Sequence, residues 1–84
     1  MDQVRESHLE YLEAIKNPQR REILRALEKG PATVEILKLR TGLDNKNLEW
    51  HLGILKHALC VEEEIKNGEV LYKITCSKWK QEGF

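Results

Sequence analysis

The sequence predicts a mainly α-helical domain that ends in a small β-hairpin. Apolar residues recur with the spacing of an α-helix up to about residue 58, and beyond it they alternate with the period of a β-strand. Asn67-Gly68 separates two alternating runs, and this pair predicts a tight hairpin turn because both residues tolerate positive φ. A length of 84 residues suits one domain, so we expect residues 1–84 to fold as a unit.

The first half of the chain predicts two helices. An apolar stripe with helical spacing indicates a helix from about residue 3 to residue 16. Asn17 can cap the next helix, and Pro18 suits its first turn, where the missing N–H is not needed. This second helix should run to about residue 29, because Gly30-Pro31 ends it.

The next segment has the order of a helix-turn-helix. We predict a short helix over residues 34–40, a turn containing Gly over residues 41–43, and a longer helix over residues 45–58. The hairpin that follows, over residues 60–75, makes the whole segment from residue 33 onward a winged helix-turn-helix, and we call this hairpin the wing. In that arrangement the second helix of the pair fits the DNA major groove.

Composition narrows the possible functions. The 14 basic and 14 acidic residues cancel, which excludes an unstructured basic arm as the basis of nucleic-acid binding. The sequence has no apolar run of the ~18 residues that a membrane span needs, and its first residues lack the basic start of a signal peptide. We therefore expect a cytoplasmic protein without a membrane partner. Without a Gly-rich phosphate loop or a Ser/His/Asp arrangement, we do not expect an enzyme.

The two cysteines, Cys60 and Cys76, are expected to be reduced thiols. In the predicted hairpin register residue 60 pairs with residue 75, so the two thiols should point to opposite faces and should not form a disulfide. His57 and Cys60 are three residues apart, but two ligands are too few for a structural zinc site. We predict no metal, no cofactor and no evident small-molecule effector.

Three segments resemble one family of regulators. Residues 17–24, N-P-Q-R-R-E-I-L, are similar to the D-P-T-R-x-x-I-L opening of arsenical-repressor-like (ArsR) winged-helix proteins, and residues 50–56, W-H-L-G-I-L-K, are similar to their R-H-L-K-x-L-K. Asn67-Gly68 with residues 71–75, L-Y-K-I-T, resembles a wing that often ends in Y-x-L-T. The resemblance covers roughly residues 10–75. It implies a homodimeric DNA-binding transcription regulator.

The sequence also departs from that family. Residues 33–37 contain no cysteine where metal-sensing members have one, and the chain is too short for the C-terminal helix that a second metal-sensing class uses. The family usually has A-G-L-V after the recognition helix, whereas this chain has A-L-C-V, so Leu59 must take a strained conformation or the turn must differ. Glu49 and Trp50 stand where the family tends to have Ser and Arg.

The resemblance and the helix-turn-helix geometry together indicate which residues contact DNA. The first turn of the longer helix should meet base edges and phosphates, while its flanks and the wing tip should meet phosphates. The alternative is that these polar residues only cap helices, form the turn and cover a solvated surface. The predicted DNA contacts are Thr33, Arg40, Thr41, Asn45, Lys46, Asn47, Glu49, Trp50, Lys56, Lys66 and Asn67.

The apolar stripe of the first helix has two interpretations: it closes over its own domain, or it pairs with a second copy. We favour a homodimer, because the stripe exceeds what so small a core needs. The predicted dimer surface comprises Val4, His8, Tyr11, Leu12, Ile15 and Trp79. Two functions are left open: a sequence-specific regulator of double-stranded DNA, and a winged helix that binds a protein. The neutral charge, Glu49, Trp50 and the acidic residues 62–64 favour the second.

Overall fold

Four helices and a hairpin make up most of the part of the chain that the structure describes. The structure, a computed structural model, describes the backbone of residues 2–76 and 79–82 and the side chains of residues 9–76 and 79–81. The elements in chain order are α1 (Asp2–Lys16), α2 (Pro18–Leu27), α3 (Val34–Thr41), α4 (Asn45–His57), β1 (Val61–Lys66), β2 (Glu69–Ile74) and a short 3₁₀ helix (Trp79–Glu82). The predicted fold class is confirmed, and the predicted helix ends agree with these bounds to within two residues.

Three of the helices begin at residues that satisfy backbone N–H groups of the first turn. The side-chain oxygens of Asn17, Thr33 and Asp44 accept hydrogen bonds of 2.8–3.2 Å from the first turns of α2, α3 and α4. An unpaired N–H in a first turn is otherwise left to water, so each cap fixes where its helix starts. Gly42 ends α3 in the left-handed conformation, with φ of 76°, and turns the chain toward α4.

The wing is a two-stranded antiparallel sheet joined by Asn67 and Gly68, whose φ values are 54° and 81°. The predicted register is confirmed: Val61 pairs with Ile74, Glu63 with Tyr72 and Ile65 with Val70. One contact was not predicted. Ala32, between α2 and α3, exchanges two backbone hydrogen bonds of 3.0 and 2.8 Å with Tyr72, and thereby anchors β2 to the helical part of the domain.

All four helices contribute to one hydrophobic core. The buried seam of α4 faces α2 and α3, and α1 closes the other side. Burying a Leu or Ile side chain contributes roughly 1.5–3 kcal/mol each, so this cluster supplies most of the favourable free energy of folding. The largest fully buried side chains are those of Ile15, Ile23, Leu24, Leu27, Leu37, Leu48, Leu52, Leu55 and Cys60.

The predicted dimer surface needs correction at two residues. Ile15 is fully buried and Trp79 is 3% exposed, and both belong to the core of the chain itself. A second copy cannot contact side chains that their own chain already covers. Tyr11 and Leu12 are half-buried against the core. Val4 and His8 also belong to the predicted dimer surface, but their side chains are outside the part of the chain that the structure describes.

The end of α4 contains a strained residue. Cys60 donates its N–H to Leu55 O (2.8 Å) and Leu59 donates to Lys56 O (3.1 Å), which is the hydrogen-bond pattern of a Schellman motif. The residue at the left-handed position of this motif is usually Gly, but here it is Leu59, with φ of 61°. Of the two alternatives that the missing glycine left open, a strained Leu59 or a different turn, the structure has the first.

Within residues 2–76 and 79–82, no helix is long and apolar enough to cross a membrane. Among the side chains of residues 9–76 and 79–81, no three histidines, cysteines or carboxylates are placed so that they could hold a metal ion together.

Candidate nucleic-acid interface

Helix α4 has one face in the core and the opposite face open. Leu48, His51, Leu52 and Leu55 are buried, and about 100° of rotation per residue places their opposite side near residue 50. We define the outward face as the exposed residues along the middle of that side. It consists of Lys46, Trp50, Gly53 and His57.

The other predicted contacts on α4 flank this outward face. Asn45, Asn47 and Glu49 are exposed near the start of the helix, and Lys56 is exposed near its end. Asn45, Lys46 and Asn47 follow the Asp44 cap directly, so their side chains surround the N-terminal end of α4. This is the part of a recognition helix that approaches base edges.

Several predicted phosphate contacts have structural partners in the chain. Thr33 caps α3, and Thr41 Oγ1 donates to Leu37 O (2.7 Å). Arg40 donates from Nη1 to Ala26 O (3.0 Å), which joins the end of α3 to α2. The arginine side chain still lies at the surface, so its remaining N–H groups can meet a phosphate.

The wing tip extends away from the core. Lys66, Asn67 and Ile65 are exposed, and Ile65 keeps 77% of its surface in solvent. The apolar residues that alternate along the wing are therefore not all buried. Val61, at the base of the wing, is in the core, whereas Ile65, near the tip, is exposed. The tip is free to lie over a neighbouring surface.

The acidic run of the wing is largely paired with lysines. Lys73 Nζ lies 3.1 Å from a Glu62 oxygen and 3.4 Å from a Glu64 oxygen, and Lys56 binds Glu63. The hydrogen bond from Lys56 lowers the pKa of Glu63, and the hydrogen bonds to Glu62 and then Glu64 raise the pKa of Lys73. Both directions favour the charged forms. The positive charges of Lys56 and Lys73 then offset part of the negative charge of the run.

Trp50 is the largest exposed side chain on the outward face. It keeps 62% of its surface in solvent. The guanidinium carbon of Arg20 lies 6.0 Å from the indole centroid, at the outer limit of a cation–π contact. The His51 ring meets the indole edge-on, with centroids 5.0 Å apart and an interplanar angle of 64°. The ring is therefore held on two sides and open on the rest.

His51 connects α4 to α2 beneath Trp50. It is 2% exposed, and its Nε2 lies 2.9 Å from Gln19 Oε1. Because the Gln19 oxygen accepts, Nε2 carries the proton, and Nδ1 is buried with no hydrogen-bond partner among the described residues. Burial, followed by the charge of Arg20, lowers the pKa of His51. The imidazole is therefore a neutral structural group.

The two cysteines contact each other, which corrects the prediction that they point apart. The predicted pairing is present, since Thr75 donates its N–H to Cys60 O (2.8 Å). However, β1 begins at Val61 and β2 ends at Ile74, so neither cysteine lies within a strand and the alternation of faces does not apply to them. Their side-chain hydrogen bond raises the pKa of Cys60 and lowers that of Cys76.

Helix α1 has an exposed apolar residue beside a groove. Leu9 keeps 55% of its surface in solvent, and with Ala14 and Ile54 it lines a groove of about 340 Å³ between α1 and α4. Glu10 and His57 face each other across this groove at 3.5 Å. Leu9 was not among the residues of the predicted dimer surface.

Sequence reasoning missed three residues that shape the interface. Gln19 and Arg20 support His51 and Trp50 from α2, and contacts between residues so distant in sequence give no local pattern. Gly53 did leave a signal, because a glycine inside a predicted helix departs from helix propensity.

Solved structures similar to this chain are winged-helix transcription regulators. The transcriptional regulator HlyU from Vibrio vulnificus is 25% identical, with a TM-score of 0.77 over 96% of this chain and 84% of that one. The transcriptional repressor BigR from Xylella fastidiosa is 23% identical, with a TM-score of 0.79 over 96% and 83%. The homodimeric winged helix-turn-helix DNA-binding domain of Mb0332 from Mycobacterium bovis, a possible ArsR-family regulator, is 22% identical, with a TM-score of 0.84 over 95% and 74%.

No protein-family model and no curated protein matches the sequence. The resemblance to ArsR-type regulators is confirmed in the structural neighbours, which are winged-helix transcription regulators and include proteins described as ArsR-family members. The chain therefore has the winged helix-turn-helix fold of ArsR-type transcription regulators.

Proposed function

We propose that this protein is a sequence-specific, double-stranded DNA-binding transcription regulator that acts as a homodimer. The observation that carries the proposal is the outward face of α4, which is free of core packing and begins at a capped, polar helix end. The major groove is about 12 Å wide and admits one α-helix. The wing then lies beside the helix, where its tip reaches the neighbouring backbone.

The residues at the start of α4 suit base recognition. The amides of Asn45 and Asn47 match the donor and acceptor pattern of adenine, and Lys46 matches the acceptors of guanine or a phosphate. Arg40 precedes α4 in the sequence and Lys66 follows it in the wing. Both supply phosphate contacts that orient the helix. Glu49 accepts from a cytosine amine.

Helix α1 supports the homodimer. Leu9 is exposed and Tyr11 and Leu12 are half-buried, so α1 keeps an apolar strip that its own core does not cover completely. Mb0332, which shares this fold, is homodimeric. A symmetric pair would place two α4 helices in successive major grooves about 34 Å apart, on a near-palindromic site.

The test selects duplexes from a random pool and measures their affinity by fluorescence anisotropy as salt is raised, with sedimentation to give the oligomeric state. We expect one enriched near-palindromic sequence, an affinity that falls steeply with salt, and a dimer. The double variant Lys46→Ala with Asn47→Ala should lose specific binding and stay folded. Lys16→Ala, which removes the same charge from the exposed end of α1, is the matched control and should bind as the parent does.

A protein-binding winged helix is the second candidate, favoured by the exposed Trp50 and the net charge of zero. It predicts that no sequence is enriched and that a protein partner covers Trp50. Selective, salt-dependent duplex binding that Lys46→Ala with Asn47→Ala abolishes would exclude it.

A further inference from the structure

The indole of Trp50 is oriented before any partner arrives. The guanidinium carbon of Arg20 lies 6.0 Å from the ring centroid, and the His51 ring packs against the indole in a T-shaped arrangement with centroids 5.0 Å apart. His51 is itself fixed by its bond to Gln19. Binding a partner therefore requires little further ordering of this large apolar side chain, which favours a tight and specific contact.

Gly53 lies on the outward face one turn after Trp50. A Cβ atom added at Gly53 would meet no atom within 4 Å among the described residues, so core packing does not require a glycine here. Glycine inside a helix is unfavourable relative to alanine. The bare backbone instead leaves a notch on the outward face, one helical turn from Trp50, where a group of the partner can approach closely.

An exposed apolar ring beside a bare backbone suits a small apolar group. Among the groups that base edges present in the major groove, the 5-methyl of thymine is the one apolar group large enough to be read by an apolar contact, and the groups used for polar readout are hydrogen-bond donors and acceptors. The carbon edge of an indole cannot satisfy those donors or acceptors, whereas it can exclude water from a methyl group.

We propose that Trp50 and Gly53 together form a receptor for the 5-methyl group of one thymine in each half-site, and that Trp50 thereby determines base specificity at that position. This inference rests on the proposed function, because it requires α4 to lie in the major groove.

The test replaces each thymine of the selected duplex, one at a time, by deoxyuridine, which lacks only the 5-methyl. At one position per half-site we expect the affinity of the parent protein to fall about fourfold, and about 15-fold when both half-sites are replaced, as the transfer of one methyl group from water predicts. The same replacement should change the affinity of Trp50→Ala by less than about 1.5-fold, since that variant has no ring for the methyl to contact. Circular dichroism checks that this surface variant stays folded.

Gly53→Ala tests the notch separately. We expect it to weaken binding of the selected duplex at least about tenfold while its melting temperature rises, so that lost binding cannot be attributed to lost structure. If Gly53→Ala binds the selected duplex as tightly as the parent does, the bare backbone at position 53 is not part of the receptor. Deoxyuridine replacements that leave the parent unaffected at every position, or that weaken Trp50→Ala as much as the parent, would overturn the methyl receptor. If no duplex is enriched at all, the proposed function itself fails.

Discussion

Leu59 occupies a left-handed backbone position that an L-amino acid adopts at an energetic cost. Two variants test this cost. Leu59→Ala keeps only the Cβ of the side chain, and Leu59→Gly removes the side chain completely. Leu59 keeps 72% of its surface in solvent, so truncation itself loses little burial, under about 1 kcal/mol. The two variants then differ only in how the backbone tolerates a φ of 61°.

The expected magnitude follows from two opposing effects. The left-handed conformation costs an alanine about 1–2 kcal/mol that glycine does not lose. Glycine gives up about 0.4–1 kcal/mol more chain entropy on folding. Taking the middle of each range, Leu59→Gly should be more stable than Leu59→Ala by about 0.8 kcal/mol, which is a melting temperature about 3–6 °C higher in a domain of this size.

The assay is thermal unfolding followed by circular dichroism, at one fixed protein concentration because subunit association shifts the midpoint. Position 53 supplies the matched control on the same helix. Gly53 is inside α4, where its φ is not positive, so alanine should there be the more stable residue by about 0.5–1 kcal/mol. Glycine should therefore be more stable than alanine at position 59, whereas alanine should be more stable than glycine at position 53.

Equal stability of the two variants at position 59, or a more stable Leu59→Ala, would contradict the claim that the left-handed backbone at this position is strained. Such a result would mean that the chain after α4 leaves the Schellman geometry without loss. If alanine at position 53 is no more stable than the parent glycine, that result concerns only helix propensity and leaves the strain at Leu59 intact.

Three further predictions concern single groups. Burial and the charge of Arg20 lower the pKa of His51, so the unfolded chain binds the proton before the folded chain does as the pH falls. The stability that the neutral His51 contributes is complete above about pH 6.5 and is lost as the pH falls through the folded-state pKa. The free energy of unfolding in urea should therefore differ less between pH 7 and pH 5 in His51→Gln than in the parent. Cys76 should react with a thiol reagent before Cys60, because their hydrogen bond lowers the pKa of Cys76 and raises that of Cys60; peptide mapping that finds Cys60 modified first would contradict this order. Asn17→Ala should lower the free energy of unfolding by about 1 kcal/mol, since two first-turn N–H groups lose their acceptor, and an unchanged denaturant midpoint would show that water replaces the cap fully.

Local signals account for what the sequence could predict. The caps at Thr33 and Asp44, the glycine that ends α3 and the Asn67-Gly68 turn each act on the few residues around them, so they can be read without knowing the rest of the fold. The hairpin register followed from the turn, because a two-residue turn determines every pair beyond it.

Tertiary packing accounts for what the sequence could not predict. Ile15 and Trp79 fill the core of their own chain, and periodicity alone cannot say which neighbour a stripe packs against. Cys60 and Cys76 meet because both strands end just before the alternation would have separated them. Ile65 shows the reverse case: its position in the alternation predicts burial, but no layer of the described structure covers the wing tip.

If the proposed function holds, the Lys56–Glu63 pair affects how this protein searches for its DNA site. A lysine already neutralised by a carboxylate displaces fewer counterions from DNA than a free lysine does, and each phosphate contact normally contributes about 0.9 to the salt slope. With the wing acids held beside the lysines and a net charge of zero, random DNA offers this surface little general attraction. The protein would leave unspecific sequences quickly. Its residence on a promoter would depend on base contacts together with the phosphate contacts of Arg40 and Lys66, which form only where the base contacts hold α4 in place.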